Sequence, residues 1–266
     1  MKKAVQFLSK QISYSISGSG PALVLLHGFL ESKEIWDDFT AILQKEFTVI
    51  AIDLPGHGES ELLGEKHSMS LMAEVVKSVF EAEKIEKAVI AGHSMGGYVA
   101  LQFAVDNEKL LNGLVLFHSH ANADSNEAKE NRQRTIEIVQ QNRGSFIRQF
   151  IPDLFDQNHV DKYSHAIKKL QDTAARMTPE AIIAALSGMR DRLSRVDYLA
   201  EAKIPVLFIM GKQDSRMPYH QLMIQAENPV HSEILLLGDV GHMGYIESPG
   251  ITVQALRHFS MRCFNV

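Results

Sequence analysis

Short apolar runs alternate with amphipathic stretches over the first half of the chain, and the alternation resumes in the last quarter. Residues 22–26 are continuously apolar and residues 47–52 are apolar except for Thr48, as expected for strands that are buried on both faces of a parallel sheet. Between such runs, apolar residues recur at helical spacing, as at Met72, Val76 and Phe80. The pattern predicts an α/β protein with a doubly wound, mostly parallel sheet and right-handed crossovers.

The same pattern predicts the remaining elements. Ser70 is expected to cap a helix that runs to about residue 83, and Ser248-Pro249 is expected to open the final helix. Two short strands are expected within residues 4–18. The other predicted strands are 88–91, 113–117, 205–210 and 233–237.

Residues 120–200 interrupt the alternation, since they show helical periodicity and no convincing strand. The Thr-Pro-Glu sequence at 178–180 is typical of a helix start, with a cap, a proline and an acid in the first turn. An interruption of about 80 residues is far longer than an ordinary connection between a helix and a strand. The sequence therefore predicts a core of residues 1–119 and 201–266 and an inserted helical cap of residues 120–200.

A Gly-x-Ser-x-Gly sequence lies at residues 92–96, between a predicted strand and a predicted helix. So sharp a turn requires almost no side chain two residues before and two residues after the serine, because strand and helix nearly touch there. Gly92 and Gly96 meet that requirement, and the turn would present the hydroxyl of Ser94 at the edge of the sheet. Ser94 is therefore the predicted nucleophile.

Two further polar residues directly follow predicted strands, at the same edge of the sheet. His242 follows the last strand and can take the proton of Ser94 as the hydroxyl attacks a carbonyl group. Asp214 follows the strand before it and would hold the imidazole of His242 in the required tautomer. Asp124, just beyond an earlier strand, is a rival for the role of the acid, and Asp214 is preferred because it follows its strand directly.

The motifs together resemble the core of the α/β-hydrolase superfamily. The resemblance depends on His27-Gly28, the Asp53–Ser60 loop, Gly92–Gly97, Gly211-x-x-Asp214 and Gly241-His242. It implies a serine catalytic triad, an inserted helical lid, and an oxyanion hole formed by the backbone N–H groups of Phe29 and Met95. The resemblance is closest to small esterases, lactonases, carbon–carbon hydrolases and cofactor-free haloperoxidases. Serine at position 94 argues against the dehalogenase and epoxide-hydrolase branches, which use aspartate there.

Other residues near the predicted site allow two interpretations. His118 and His120 either line the pocket or are solvated loop histidines, whereas His27 and His93 are interpreted as structural. Large apolar side chains of residues 120–200 either cover the substrate or form the interior of the cap. These side chains are Phe146, Phe150, Met177 and Met189.

Composition and charge narrow the range of functions. The net charge of −5 and the lack of a basic run argue against a nucleic-acid or anionic-membrane partner. The single cysteine, Cys263, excludes an intrachain disulfide, so we expect a reducing, cytoplasmic location. No stretch has membrane-spanning length and no motif for a metal or nucleotide is found, so we expect no cofactor and no metal. The expected partner is a small-molecule substrate, and the oligomeric state stays open.

The sequence thus favours a serine hydrolase that cleaves a small or medium carboxylic ester or lactone through an acyl-enzyme. One alternative is a carbon–carbon bond hydrolase acting on vinylogous diketones. Its acidic substrate would require cationic groups such as Arg132, Arg190 or Arg192, whose direction the sequence leaves open. A second alternative is a ligand-binding receptor that keeps the fold and hydrolyses slowly.

Overall fold

One mixed sheet of eight strands organises the protein, whose computed structural model describes residues 1–265. The strands are β1 (Lys2–Phe7), β2 (Lys10–Ser17), β3 (Ala22–Leu26), β4 (Thr48–Ile52), β5 (Ala88–His93), β6 (Leu111–Phe117), β7 (Val206–Gly211) and β8 (Ser232–Leu237). Their order in the sheet is β1-β2-β4-β3-β5-β6-β7-β8. Strand β2 is antiparallel to both β1 and β4, and all other neighbours are parallel. The predicted mostly parallel sheet is therefore confirmed.

Ten α-helices accompany the sheet within residues 1–265. They are α1 (Asp37–Leu43), α2 (Met69–Ala82), α3 (Met95–Asn107), α4 (Asn126–Phe150), α5 (Ser164–Ala174), α6 (Pro179–Arg190), α7 (Val196–Glu201), α8 (Tyr219–Ala226), α9 (Gly244–Glu247) and α10 (Pro249–Phe264). A search of these described helices finds none that is both long enough and apolar enough to span a membrane.

The direction of the connections places helices on both faces of the sheet. The crossover from β3 to β4 runs one way along the sheet, and those from β4 to β5 and from β5 to β6 run the other way. Because such crossovers are right-handed, α1 lies on the opposite face from α2 and α3. Helices α2 and α3 pack together, with the rings of Phe80 and Phe103 4.8 Å apart, and α1 packs against α10. The central strands are therefore covered on both faces, which explains their continuous apolar sequences.

The parallel strands end together at one edge of the sheet. Leu26 at the end of β3 pairs with Gly92, and Phe117 at the end of β6 pairs with both His93 and Ile209. The residues that follow these strands are consequently neighbours in space although they are distant in sequence. Ser94 and His118 leave the sheet side by side at this edge.

The chain between β6 and β7 contains α4, α5, α6 and α7, and no strand is assigned within residues 118–205. Helices α4 and α6 pack against each other, and α4 is kinked at Asn142, whose φ and ψ are −154° and 75°. Thr178 caps α6 by accepting a hydrogen bond from Ala181 N–H, which confirms the predicted helix start. The division of the chain into a core and a cap at residues 120 and 200 stays a prediction.

The predicted cap of α2 is wrong by two residues. The helix begins at Met69, and Ser68 rather than Ser70 accepts a hydrogen bond from Leu71 N–H. Contact with α6 fixes this start, because His67 N–H donates to the carbonyl oxygen of Ala184. Residue 67 is thereby held in an extended segment before the helix can begin.

Candidate active site

Ser94 occupies a strained turn between β5 and α3. Its φ and ψ are +50° and −114°, a conformation that costs free energy for any residue with a side chain. A Cβ atom at Gly92 would lie 2.2 Å from the backbone of Gly96. A Cβ atom at Gly96 would lie 2.5 Å from the carbonyl oxygen of Leu26. Both glycines are therefore required by the close approach of the helix to the sheet, as the sequence predicted.

His242 and Asp214 form a buried hydrogen-bonded pair. Nδ1 of His242 lies 2.8 Å from Oδ2 of Asp214. The other oxygen of Asp214, Oδ1, accepts hydrogen bonds from the backbone N–H groups of Arg216 and Met217 at 2.8 and 2.9 Å. The turn after β7 thus fixes the carboxylate so that one oxygen faces the imidazole of His242.

His118 forms a second hydrogen bond with the same oxygen of Asp214. Its Nδ1 lies 2.9 Å from Oδ2, and its side chain is fully buried. The Nε2 atom has no partner within residues 1–265, and a Cβ atom at Gly244 would lie 2.3 Å from it. Both sequence interpretations of His118 are wrong, because the residue neither lines the cavity nor meets solvent. His118 is instead hydrogen-bonded to Asp214.

The ionisation of this cluster follows from burial and from its contacts. Burial opposes ionisation of Asp214, but His242 and His118 outweigh it and hold the pKa of the carboxyl well below its usual range. Burial lowers the pKa of His118 to about 4, although Asp214 favours its charged form. Near neutral pH, Asp214 is therefore a carboxylate, and His118 is a neutral imidazole that donates a proton to the hydrogen bond.

Asp124 has a different set of partners. Its Oδ1 accepts from Nη1 of Arg192 at 2.5 Å, and its Oδ2 accepts from Nε of Arg132. The carboxylate is nearly buried, with 5% of its side chain exposed. Asp214, and not Asp124, is the acid that is hydrogen-bonded to His242.

A second buried network links the loop after β3 to the loop that carries His242. Oε2 of Glu31 accepts from Gly28 N–H at 2.5 Å and lies 3.0 Å from Nδ1 of His93. Nε2 of His93 lies 3.0 Å from the carbonyl oxygen of His242, and Tyr245 donates its hydroxyl proton to Glu31. Burial opposes charge on both groups, yet their mutual attraction raises the pKa of His93 and lowers that of Glu31. His93 therefore supports the site, as the sequence interpretation of a structural residue expected.

The loop of His242 is also held by Glu247. Its carboxylate accepts hydrogen bonds from the backbone N–H groups of Gly241 and Met243, both at 3.0 Å. It accepts a third from Asp156 N–H at 2.9 Å, and His242 N–H donates to the carbonyl oxygen of Leu154 at 2.7 Å. The position of His242 thus depends on the segment between α4 and α5 as well as on the end of β8.

The remaining motif residues shape the loops around the site. Nε2 of His27 accepts a hydrogen bond from Leu54 N–H, which joins the loops after β3 and β4. The carboxylate of Asp53 accepts two hydrogen bonds from Lys33, one from its backbone N–H group at 2.7 Å and one from its Nζ at 2.5 Å. Ser60 donates to the carbonyl oxygen of Asp53. These contacts agree with the structural role predicted for His27 and show that Asp53 fixes the loop that it begins.

A cavity of about 990 Å³ adjoins these residues. Ser94, His242 and Phe29 line it, and Asp214 lies behind His242. Its large apolar side chains come from the loops after β3 and β7 and from the helical region between β6 and β7: Phe29, Phe146, Phe150, Leu154, Leu186, Met189 and Met217. Met177 is absent from the described lining and is buried, so it contributes to the interior of the helical region.

His120, unlike His118, lines the cavity, which agrees with one of its two interpretations. Burial, followed by the charge of Arg192, lowers the pKa of His120 to about 3. Two of the predicted arginines, Arg132 and Arg192, also line the cavity, together with Arg216, which the sequence interpretation missed. Arg190 lies elsewhere and contacts Asp191 and Gln133.

One trio of potential metal ligands occurs within residues 1–265: His118, Asp214 and His242, whose donor atoms lie within 4.8 Å of one another. The contacts of 2.8 and 2.9 Å between the two nitrogens and Oδ2 are ordinary hydrogen-bond lengths. Because protons already join these atoms, a cation would have to displace both hydrogen bonds. The arrangement fits a hydrogen-bonded cluster better than an ion site.

Comparison with known proteins shows a family likeness over most of the chain. Residues 21–249 match the family described as alpha/beta hydrolase fold. A thermophilic esterase from Thermogutta terrifontis, solved with malate bound, superposes with a TM-score of 0.93 and 30% identity, covering 99% of both chains. An esterase from Exiguobacterium antarcticum superposes with a TM-score of 0.89 and 21% identity, covering 98% of this chain and 99% of the other.

Curated relatives extend the likeness. The pimeloyl-[acyl-carrier protein] methyl ester esterase of Pseudoalteromonas atlantica is 29% identical, covering 76% of this chain and 79% of that protein. The 3-oxoadipate enol-lactonase 1 of Acinetobacter baylyi is 25% identical, covering 94% and 93%. Uncharacterized proteins of Mycobacterium bovis and Mycobacterium tuberculosis are 39% identical over 104 residues, 39% of this chain but only 30% of those proteins. The chain therefore matches less than a third of these last relatives.

Proposed function

Because the chain belongs to the α/β-hydrolase fold family, we propose that it is a serine hydrolase of small or medium carboxylic esters or lactones. The observation that carries the proposal is a convergence of chemistry at one cavity. The strained Ser94 and the hydrogen-bonded His242 line the same space, although they lie 148 residues apart in the chain (242 − 94 = 148). The names of its relatives, which include esterases and an enol-lactonase, support the same reaction class.

In the proposed mechanism Ser94 attacks the carbonyl carbon of the substrate while His242 takes its proton. Since Nδ1 of His242 is engaged with Asp214, the Nε2 atom is the one that acts as the base. Asp214 stabilises the imidazolium that forms and keeps its own negative charge throughout. The imidazolium then protonates the leaving alcohol as the acyl-enzyme forms, and a water molecule activated by His242 releases the acid.

The tetrahedral intermediate requires donors for its negative oxygen. We assign this role to the backbone N–H groups of Phe29 and Met95, which follow β3 and Ser94 respectively. Each such donor contributes roughly 3 kcal/mol to stabilisation of the transition state. Glu31 supports this arrangement, because its carboxylate holds the N–H group of Gly28, the residue before Phe29.

Replacing the nucleophile tests the proposal. We expect Ser94→Ala to lower kcat on short p-nitrophenyl esters by about 10⁴-fold or more, because no other group can form the acyl-enzyme. Labelling with a fluorophosphonate probe should disappear in the same variant. Ser194→Ala is the matched control, since Ser194 lines the same cavity outside the strained turn. Wild-type activity that survives in Ser94→Ala would remove Ser94 from the mechanism.

A substrate panel separates ester and lactone hydrolysis from the other reactions open to this fold. Esters, lactones and vinylogous diketones are compared under one set of conditions. Cleavage of the diketone alone would favour the carbon–carbon bond hydrolase. Probe labelling without turnover of any of the three would favour a slowly hydrolysing receptor.

A further inference from the structure

We propose that the cavity contains a carboxylate-binding subsite formed by Arg216 and Arg132, so that the preferred substrate is an ester or lactone that carries a carboxylate group. The inference deepens the proposed function and rests on it. It depends on the number of charged groups in the cavity, on their partners, and on the apolar surface beside them.

Three arginines and three acids line the cavity, but the acids do not engage the three arginines equally. Three arginines line it, and Asp124 is hydrogen-bonded to two of them, Arg132 and Arg192. Of the other two acids in the lining, Glu31 is occupied by His93, Gly28 and Tyr245, as described above. Glu127 is exposed to solvent in the first turn of α4. Of the three acids, only Asp124 is hydrogen-bonded to the cavity arginines, and it does not contact Arg216.

Arg192 is held by the protein itself. It donates to Asp124, to the carbonyl oxygen of Asn122 at 3.1 Å and to that of Met189 at 2.8 Å. Its guanidinium lies 4.0 Å from the ring centroid of Tyr98, and 3% of its side chain is exposed. Its donors are therefore largely committed, and its role is to hold the helical region together.

Arg132 has unused donor capacity. Its Nε is bonded to Asp124, but Nη2 reaches that carboxylate only at 3.5 Å. Nη1 contacts the sulfur of Met189 at 3.6 Å, a weak acceptor. The side chain is 23% exposed and lines the cavity. The outer edge of this guanidinium can accordingly meet an anion.

Arg216 is the least engaged of the three. Its guanidinium lies 4.7 Å from the ring centroid of Phe150, and its side chain makes no hydrogen bond to any residue that the structure describes. The nearest carboxylate, Asp153, is 3.9 Å away and 64% exposed, which makes it a weak surface partner. Burial lowers the pKa of Arg216, and the charge of Arg132 lowers it further, against Asp153 and Asp214. Arg216 and Arg132 line the same cavity, and neither guanidinium has all its donors taken by the protein residues that the structure describes.

A carboxylate bound in this cavity can use the free donors of both Arg216 and Arg132. Guanidinium groups bind carboxylates through paired, charge-assisted hydrogen bonds, which are stronger than neutral ones. The adjoining wall of Phe29, Phe146 and Phe150 is apolar, with ring centroids 5.1 to 6.5 Å apart, and suits a hydrocarbon segment. The cavity therefore fits an ester with an apolar chain that ends in a carboxylate.

Two matched substrates test the subsite. One is the mono-p-nitrophenyl ester of adipic acid, which is an anion at neutral pH, and the other is its neutral methyl ester. We expect wild type to have a higher kcat/KM on the anion, and we expect Arg216→Gln to lower the anion-to-neutral ratio by about 10- to 100-fold. Arg190→Gln is the control, because Arg190 lies in α6 outside the cavity, and this variant should keep the wild-type ratio.

The outcomes separate the subsite from the reaction. An unchanged ratio in Arg216→Gln, with normal thermal unfolding, would overturn the subsite while leaving ester hydrolysis intact. Equal wild-type kcat/KM on both substrates would overturn it as well. If wild type cleaves neither ester and also fails to cleave p-nitrophenyl acetate, the proposed function fails first. Arg216→Lys is a second test, because it keeps the positive charge but loses the paired donors of the guanidinium. Its anion-to-neutral ratio should therefore lie between those of Arg216→Gln and wild type.

Discussion

At the scale of single residues, the main feature is one carboxylate oxygen that serves two imidazoles. Oδ2 of Asp214 accepts from both His118 and His242, at 2.9 and 2.8 Å. A hydrogen bond from His118 disperses part of the negative charge that would otherwise stabilise the imidazolium of His242. The titratable groups that face His118 are Asp214, His242 and His93, and the two other rings lie 5.8 and 6.2 Å from it. His118 is therefore placed to adjust the strength of the proposed base.

Removing the donor of His118 should move the pH profile of the enzyme. In His118→Phe the carboxylate of Asp214 keeps its full charge for His242, so we expect the acid limb of kcat/KM to shift upward by about half to one pH unit. The matched control is His118→Asn, whose amide can donate to the same oxygen and should restore the wild-type limb. A profile that is identical in all three proteins, with comparable thermal unfolding, would limit His118 to a packing role.

The sequence located the residues that lie directly at strand ends but not their neighbours. Ser94, Asp214 and His242 stand out because each follows an apolar run in a glycine-rich turn. Glu31 and Glu247 carry no such signal, since their roles depend on backbone N–H groups that only the folded loops bring near them. Glu31 lies two residues after Phe29, the predicted oxyanion donor. It could have been found only by asking which side chain accepts hydrogen bonds from the backbone N–H groups of that loop.

At the scale of elements, the helical region is tied to the sheet through Asp124. This residue lies between β6 and α4, and it bonds Arg132 in α4 and Arg192 just beyond α6. The same segments also meet through the contact of α4 with α6 and through Arg192, which donates to the carbonyl oxygen of Asn122. Asp124 thus has a structural reason to be present, independent of any role as the catalytic acid.

Comparing two aspartate variants distinguishes these roles. We expect Asp124→Asn to lower the free energy of unfolding by about 3 kcal/mol, because it leaves two guanidiniums without their buried counter-ion. Asp214→Asn should instead lower kcat by about 10⁴-fold, because His242 loses the carboxylate that orients it. Urea denaturation and steady-state kinetics on both variants measure the two effects. If Asp124→Asn stays folded but loses as much kcat as Asp214→Asn, the purely structural role of Asp124 is wrong.

Element boundaries were predicted less well than element types. Ser68 and Ser70 are both good caps, and local sequence favours neither strongly. The choice is made by a distant helix, because a Cβ atom at Gly188 of α6 would lie 1.7 Å from the carbonyl oxygen of His67. So close an approach fixes residue 67 against α6 and leaves Ser68 as the first residue able to cap α2.

At the scale of the whole molecule, the alternation of apolar runs predicted the sheet but not the order of its strands. Parallel crossovers follow from the spacing, whereas the antiparallel pairing of β2 with both β1 and β4 leaves no mark on the sequence. The edge strand β1 does show an alternating exposed and half-buried pattern, which is consistent with one covered face. The inserted helical lid and the oxyanion hole were expected from the family resemblance.

Many histidines are held neutral by burial, and this makes the stability of the whole protein dependent on pH. Burial lowers the pKa values of His67 and His118 to about 4 and that of His120 to about 3, and it also lowers those of His27 and His57. The unfolded chain binds protons at these positions near pH 6.5, where the folded protein does not. Unfolding is therefore favoured as the pH falls from about 6.5 toward 4. His93 has the opposite sign, because the attraction of Glu31 outweighs its burial and raises its pKa.

We expect the free energy of unfolding, measured by urea denaturation, to fall steeply between pH 7 and pH 4.5. For His67 alone the contribution is about 2 kcal/mol over this interval, since each unit of pKa difference corresponds to about 1.4 kcal/mol. His67→Gln keeps an acceptor for Leu63 N–H but no longer titrates, so its curve should be shallower by about that amount. His220→Gln, at an exposed position, should follow the wild-type curve. Equal slopes for His67→Gln and wild type would show that acid instability in this interval comes from other groups, with His118 and His120 the next to test.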